Sequence, residues 1–185
     1  MEKLPIYKDI QGIISKIDPC DDLERTHIEE TLSWIESGVQ IFRTEKPDIP
    51  NKHLVSYFVI FDEETRKILL VDHKNAQIWL PAGGHVDLGE HPQETARREC
   101  LEELFFDPEF WCEDPVFITS TPTVGLTAGH VDVSLWYVLK GTSVENYQFD
   151  HREFNSIRWF SFEDVPFEKA DPHLKRFLTK LKALL

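Results

Sequence analysis

The sequence predicts an α+β fold in which a mixed β-sheet is sandwiched between helices, with a helical extension at the N-terminus. Three observations support this prediction. Apolar residues recur at intervals of three and four within the first fifty residues and again at the C-terminus, which is the helical period. Between them lie short segments rich in β-branched and aromatic residues, which are typical of strands. The 185 residues are 41% apolar and 12% aromatic, which is enough for one domain with a hydrophobic core.

Residues 1–50 are predicted to form the helical extension, packed on the remainder of the chain. A helix should begin after Asp21, because Glu24 stands where it would complete a capping box, and Gly38 marks its end. The apolar stripe of this helix would comprise Ile28, Leu32, Ile35 and Val39. A shorter helix is predicted over residues 6–17.

Residues 51–185 are predicted to form the main domain. Segments 54–61 and 68–73 flank a polar turn and predict a hairpin, and segment 77–81 predicts a third short strand. A helix is predicted to begin near Pro92 and to end by Asp107. Three further strands and a terminal helix are predicted at 116–122, 130–140, 156–161 and 172–185. The stripe of the terminal helix would comprise Leu174, Phe177, Leu178, Leu181 and Leu185.

Composition limits the classes of partner. Thirty-three acidic against 20 basic residues give a net charge of −13, which opposes nonspecific binding to nucleic acid or to an anionic membrane. The acidic excess either serves solubility or includes a cluster that holds divalent cations. Three widely spaced cysteines fit neither a disulfide framework nor a zinc clip, and no apolar run approaches the ~20 residues of a membrane span. We therefore expect a cytoplasmic protein.

An acidic cluster stands on the helix predicted after Pro92. Glu99, Glu102 and Glu103 are spaced i, i+3 and i+4, so their carboxylates project from one face within a single turn. Like charges at this spacing repel one another, and a hard divalent cation such as Mg²⁺ or Mn²⁺ would compensate for the repulsion. Upstream, Gly83-Gly84 provides backbone that can approach a metal or phosphate closely.

The spacing of six residues in this region resembles the Nudix box. These residues are Gly84, Glu90, Arg98, Glu99, Glu102 and Glu103. The resemblance is to the Nudix (MutT-like) hydrolase family, and it implies the Nudix fold for residues 51–185. One position departs from the family, because Phe105 stands where the family usually has glycine. We expect that the helix continues through Phe105 or that its ring joins the core, so that Phe105→Gly would cost a few kcal/mol.

The resemblance also implies a reaction, namely Mg²⁺-dependent hydrolysis of the diphosphate linkage in a nucleoside diphosphate joined to a further group X. Metal-activated water would attack phosphorus. The implied metal ligands are the backbone carbonyl of Gly83 and the side chains of Glu99, Glu102 and Glu103. Arg98 and Glu90 are implied to form a structural pair that ties the loop to the helix, while Ala96 and Cys100 would face the sheet.

Several assignments stay open. The resemblance implies that one more acidic residue could assist, and the candidates are Asp132, Glu145, Asp150 and Glu153. Glu153 is favoured because it precedes a predicted strand, a placement that often borders the cleft in Nudix proteins. Gly84, His85 and His130 are candidate phosphate contacts. The strand tryptophans, predicted to be mainly core, are Trp79, Trp136 and Trp159.

Other classes of function remain as alternatives. The chain could be a catalytically silent Nudix-like module that binds a nucleotide or nucleotide sugar, or an interaction protein whose acidic helix is merely solvated. The sequence specifies neither group X nor the base. The expected partner is a small nucleotide-type diphosphate, and a homodimer is left open.

Overall fold

A computed structural model of the chain describes residues 5–46 and 49–185. That part of the chain contains four α-helices and seven strands. The helices are α1 (Pro5–Ser15), α2 (Asp22–Glu36), α3 (Pro92–Leu104) and α4 (Leu174–Leu184). The strands are β1 (Lys52–Asp62), β2 (Lys67–His73), β3 (Trp79–Leu80), β4 (Ala82–His85), β5 (Phe117–Pro122), β6 (Val131–Lys140) and β7 (Phe154–Ser161). None of the described helices is long and apolar enough to cross a membrane.

The strands form one mixed sheet in the order β3-β2-β1-β6-β5, with β4 also paired to β1 and β7 also paired to β2. The central pair, β1 and β6, is parallel, whereas the other pairs are antiparallel. β1 and β2 form the predicted hairpin. The mixed sheet confirms the predicted fold class.

Helices cover both faces of this sheet, because β1 and its neighbours are apolar on both faces. Phe58 belongs to a core cluster shared with α1, α2 and α3, whereas the next residue, Val59, belongs to a second cluster shared with α4. Successive strand residues point to opposite faces, so this alternation places three helices on one face and α4 on the other. α4 buries Leu174, Phe177, Leu178 and Leu181. Leu185 is 37% exposed and lies beyond the end of α4, so its predicted place on the stripe is wrong.

The N-terminal helices pack against the sheet. Ile10, Ile14 and Ile35 are fully buried and share a core cluster with Leu54 of β1. Each such side chain contributes about 1.5–3 kcal/mol when it leaves water. The predicted stripe ends earlier than expected, because α2 stops at Glu36 and Val39 lies outside it, 43% exposed.

The start of α2 resembles a capping box with one partner changed. Asp21 is the N-cap, and its Oδ1 accepts a hydrogen bond from the Glu24 amide at 2.8 Å. The Glu24 carboxylate reaches back to the amide of Cys20 at 2.8 Å, one residue before the N-cap.

Two ion pairs join α2 to α4. Lys180 Nζ lies 2.8 Å from Glu24 Oε1, and both side chains are buried. Arg176 Nη2 lies 2.5 Å from Asp21 Oδ1. The hydrogen bond from Arg176 holds the pKa of Asp21 well below its usual range. The extension is therefore attached to the C-terminal helix as well as to the sheet.

Candidate active site

The strand before α3 brings backbone and carboxylate into direct contact. β4 pairs with β1 through the partners Gly84↔Ser56 and Gly83↔Tyr57. A Cβ atom on Gly84 would lie 2.2 Å from Glu99 Oε1, and one on Gly83 would lie 2.1 Å from the Ser56 carbonyl oxygen. Gly83 also has a φ of +142°, which side chains rarely adopt. Gly83 therefore requires glycine, whereas a side chain at Gly84 would displace the Glu99 carboxylate that lies against the backbone there.

Two of the three clustered glutamates are withdrawn from solvent. Glu103 is 5% exposed, and its Oε2 accepts a hydrogen bond from the Gly83 amide at 3.1 Å. Burial, reinforced by the negative charges of Glu99 and Glu153, raises the pKa of Glu103 well above its usual value. Burial likewise raises the pKa of Glu99. Glu102 differs, because its side chain is 61% exposed.

Arg98 is the one cation in direct contact with these glutamates among the described residues. Its Nε and Nη2 atoms each donate to the Glu90 carboxylate at 3.0 Å. Its Nη1 donates to Glu99 Oε1 at 2.7 Å, and its Nη2 also donates to the His85 carbonyl at 3.3 Å. Burial of Glu90 opposes its ionisation, but hydrogen bonds from Arg98 and Thr95 hold its pKa below the usual value. The structure thus brings Arg98 and Glu90 together and ties both to the end of β4.

The acidic candidates after α3 occupy different places. Glu153 is exposed just before β7, and its charge contributes to the raised pKa of both Glu99 and Glu103. Asp150 is paired with Arg152 at 2.6 Å, and its amide donates to the Glu103 carbonyl at 2.8 Å. The other two candidates are elsewhere. Glu145 is exposed in the loop after β6, and Asp132 belongs to a histidine cluster.

The helix end differs from the expectation. α3 stops at Leu104, and Phe105 takes a left-handed conformation, with φ of 57° and ψ of 32° and 56% of its surface exposed. The prediction that the helix continues through Phe105 or that its ring joins the core is wrong. The amide of Asp150 donates to the Glu103 carbonyl, so a tertiary hydrogen bond accompanies the helix end. The neighbouring Phe106 ring packs on Tyr147, with centroids 5.1 Å apart.

The other residues singled out in the sequence lie in the core or beside it. Ala96 and Cys100 are fully buried in the cluster that α3 shares with the sheet, and burial raises the pKa of the Cys100 thiol above its usual range. Trp136 is also fully buried, and its Nε1 donates to Thr119 Oγ1 at 3.1 Å. Trp79 and Trp159 are partly buried beside the core clusters.

A second group of polar side chains is distinct from the glutamates. The sequence analysis did not identify these residues as a group. His53, His85, His130 and Asp132 each place one potential ligand atom within 4.8 Å of the others. Burial and then the positive charge of Arg43 lower the pKa of His85 to about 3, so its ring is neutral at physiological pH. The available signal was the i, i+2 spacing of His130 and Asp132, which puts both on one face of a strand.

Comparison with known proteins fits this arrangement. The sequence model of the NUDIX domain matches residues 51–181, well over half of the chain. A Bacillus subtilis (strain 168) protein named "Putative 8-oxo-dGTP diphosphatase" is 50% identical over 50 residues, which are 27% of this chain. The match spans only 34% of that relative's length.

Two solved structures share the fold. A NUDIX-family hydrolase from Clostridium perfringens superposes with a TM-score of 0.57 at 22% identity, covering 72% of this chain and 98% of that one. An Ap4A hydrolase from C. elegans, in a binary complex, superposes with a TM-score of 0.60 at 22% identity, covering 71% of this chain and 96% of that one. With the box residues assembled between β4 and α3 and the domain matched over residues 51–181, the chain belongs to the Nudix family.

Proposed function

We propose that this chain hydrolyses the diphosphate linkage of a nucleoside diphosphate joined to a group X, with Mg²⁺ as its cofactor and Mn²⁺ as a substitute. The observation that carries the proposal is the pair of withdrawn carboxylates, Glu99 and Glu103, against the backbone of Gly83 and Gly84. Burial, together with the negative charges of Glu102 and Glu153, raises the pKa of both carboxyl groups, so the site lacks compensating positive charge.

A hard divalent cation fits this deficit. Carboxylate and carbonyl oxygens are its preferred ligands, and Glu99, Glu102, Glu103 and the Gly83 carbonyl are the groups that would hold it. When bound, Mg²⁺ supplies a lowered pKa for water and neutralises charge on the leaving phosphate.

The protein's own groups would orient the reaction. Arg98 fixes the direction of the Glu99 carboxylate through its 2.7 Å hydrogen bond and is held in turn by Glu90. Glu102 and Glu153 are exposed, and their negative charges would oppose an anionic substrate unless cations accompany it. We propose Glu153 as the assisting acid from outside the box, because it acts electrostatically on both buried glutamates.

The proposed substrate class rests on the type of bond that the nucleotides named for the similar proteins have in common. The names of the similar proteins, an 8-oxo-dGTP diphosphatase and an Ap4A hydrolase, both point to nucleotides with phosphoanhydride bonds. A phosphate-release screen over nucleoside triphosphates, dinucleoside polyphosphates and nucleotide sugars, with Mg²⁺, is the direct way to identify group X.

The test of the catalytic assignment is Glu103→Gln. The amide keeps an oxygen that can accept from the Gly83 amide but removes one charged ligand, so turnover should fall about 100-fold or more. The melting temperature of the metal-free protein should not fall, because a buried charge is removed. Glu94→Gln, at an exposed position in the first turn of the same helix, is the matched control and should keep full turnover.

Unchanged turnover in Glu103→Gln would refute the assignment. If the wild-type protein binds the screened nucleotides without releasing phosphate under any divalent metal, the silent binding module becomes the better description. Absence of any response to Mg²⁺ in calorimetry would instead favour the interaction protein.

A further inference from the structure

We propose that His53, His85, His130 and Asp132 form a structural binding site for a divalent transition-metal ion, with zinc as the best fit, distinct from the glutamates of α3. The four ligand atoms lie within 4.8 Å of one another. Three imidazoles and one carboxylate supply four ligands of types that zinc binds.

The sheet brings these residues together by register. His53 is directly opposite Asp132 in the parallel β1–β6 pair, and Val55 is opposite His85 in the antiparallel β1–β4 pair. Residues two apart on a strand share a face, so His53, His85 and Asp132 project from the same side of the sheet. A Cβ atom on Gly84 would point toward Glu99 of α3. The side chain of the next residue, His85, therefore projects away from α3.

One hydrogen bond fixes the ring of His53 in the orientation of a metal ligand. Its Nδ1 lies 2.7 Å from the Pro50 carbonyl oxygen, which can only accept, so Nδ1 carries the proton. The Nε2 lone pair of the neutral ring then points at Asp132 Oδ1, 3.3 Å away. Both are acceptors, both are buried, and no described residue donates a hydrogen bond to either atom.

The ring of His130 is placed in a similar way, with one nitrogen directed at Asp132 and the other beside a neighbouring polar group. Its Nε2 lies 3.2 Å from the same Asp132 oxygen, and its Nδ1 lies 3.3 Å from Thr123 Oγ1. Metal-binding histidines commonly use their second ring nitrogen in this way, to hold the first toward the ion. The rings of His53 and His130 stack, with centroids 5.0 Å apart.

A cation explains the geometry better than other occupants do. An anion would meet the same lone pairs and the Asp132 carboxylate, which repel it. Magnesium disfavours imidazole ligands, whereas zinc accepts them readily. Arg43 Nη1, which can only donate, lies 3.4 Å from His85 Nε2, so the lone pair of His85 is on Nε2 and coordination through that atom requires the Arg43 guanidinium to be displaced.

Four protein ligands leave no open position, which is characteristic of structural rather than catalytic zinc. The ion would link the start of β1, the start of β6 and the end of β4, which is the strand that carries Gly83 and Gly84. Zinc should therefore stabilise the folded state and rigidify the strand beside the glutamates.

The experiment is a titration of the metal-free full chain with ZnCl₂, followed by calorimetry, in saturating Mg²⁺ so that the glutamates are occupied. We expect one zinc per chain, bound in the micromolar range or tighter, and a rise in melting temperature of roughly 5 °C or more. Asp132→Asn and His130→Gln should each weaken zinc binding by about 10-fold or more. His151→Gln, at an exposed histidine outside the cluster, should leave it unchanged.

Two further measurements separate this site from its alternatives. Glu103→Gln should retain zinc binding, and a loss would place the zinc at the glutamates and overturn the proposal. Nitrogen chemical shifts of the imidazoles should show His53 protonated at Nδ1 alone and should move at Nε2 when zinc binds. A doubly protonated His53 at neutral pH, paired with Asp132 and unaffected by zinc, would show that a proton fills this role and would refute the metal site.

Discussion

Phe105 occupies a backbone conformation that suits glycine. A left-handed conformation costs a residue with a side chain about 1–2 kcal/mol, and the ring of Phe105 is more exposed than buried. Phe105→Gly should therefore stabilise the protein by about 1 kcal/mol, which corresponds to about 2–4 °C in melting temperature.

Phe105→Ala is the matched control, because it removes the ring but keeps the unfavourable conformation. Both variants should be compared by thermal and urea unfolding. A glycine variant no more stable than the alanine variant would mean that the left-handed conformation carries no measurable cost.

Asp171 gives the stability of the fold a defined pH dependence. It lies just before α4, where its Oδ1 accepts a hydrogen bond from the His173 amide at 2.8 Å. Burial raises the pKa of Asp171 to about 6. Because the folded pKa exceeds the unfolded value of about 4, its contribution is fully present below pH ~4 and is lost as pH rises through ~6.

Asp171→Asn keeps an oxygen acceptor for the His173 amide and removes the ionisation. The variant should be more stable than the wild type by about 3 kcal/mol at pH 8 and should show no such gain at pH 4. Urea unfolding at the two pH values measures the difference, and Asp18→Asn at an exposed position is the control. An equal effect at both pH values would contradict the pKa argument.

At the scale of residues, sequence spacing predicted part of the candidate site. Helical spacing predicted that Glu99, Glu102 and Glu103 share one face. The contact between Arg98 and Glu90 was instead implied by the resemblance to the Nudix box. His53 meets Asp132 only through the pairing of two strands distant in sequence, and periodicity contains no information on that pairing. The error at Phe105 has a similar origin, because the amide bonded at the helix end belongs to Asp150.

At the scale of elements, the contact between α2 and α4 depends on a buried ion pair. Glu24 accepts hydrogen bonds from Lys180, from the Ile118 amide at 3.3 Å and from the Cys20 amide at 2.8 Å. Removing one partner of such a pair leaves an uncompensated buried charge, which typically costs about 3–5 kcal/mol.

Lys180→Met should therefore destabilise the protein by about 3 kcal/mol or more, and Glu24→Gln combined with Lys180→Met should recover a large part of that loss. Urea unfolding of the two single variants and the double variant completes a thermodynamic cycle. Lys182→Met, at a side chain that is 70% exposed, should change the free energy of unfolding by less than about 0.5 kcal/mol. Additive effects of the two buried substitutions would show that the pair is not coupled.

The elements themselves differ in how far the sequence predicts them. α2 and the β1–β2 hairpin were predicted nearly to their ends, because their caps, turns and periodicity are local. β4 was missed. Its residues, Ala82–His85, include two glycines and have little intrinsic preference for a strand, so only the pairing with β1 makes them one.

At the scale of the whole molecule, we propose that residues 1–50 are an extension on which the main domain depends. Their buried isoleucines belong to the sheet's own core cluster, and Glu24 neutralises Lys180. A truncated chain beginning at Asn51 would expose that cluster and remove the partner of Lys180. It should aggregate or melt at a much lower temperature than the full chain.

The truncated and full chains should be compared for solubility, melting temperature and Mg²⁺-dependent turnover. Any soluble fraction should still bind Mg²⁺, because the glutamates of α3 remain. Equal stability and an unchanged substrate profile would show that the extension is dispensable.

The parallel pairing of β1 with β6 also bears on the order in which the chain can fold. Lys52 pairs with Val131, so the central ladder closes a loop of about eighty residues that contains the hairpin, β4 and all of α3. Such a high contact order slows folding, since the entropy of loop closure is lost before the ladder forms. During synthesis, the glutamates of α3 leave the ribosome well before β6 and cannot rest on a finished sheet. Ligand binding at these glutamates is therefore expected only after β6 has been synthesised and the sheet has formed.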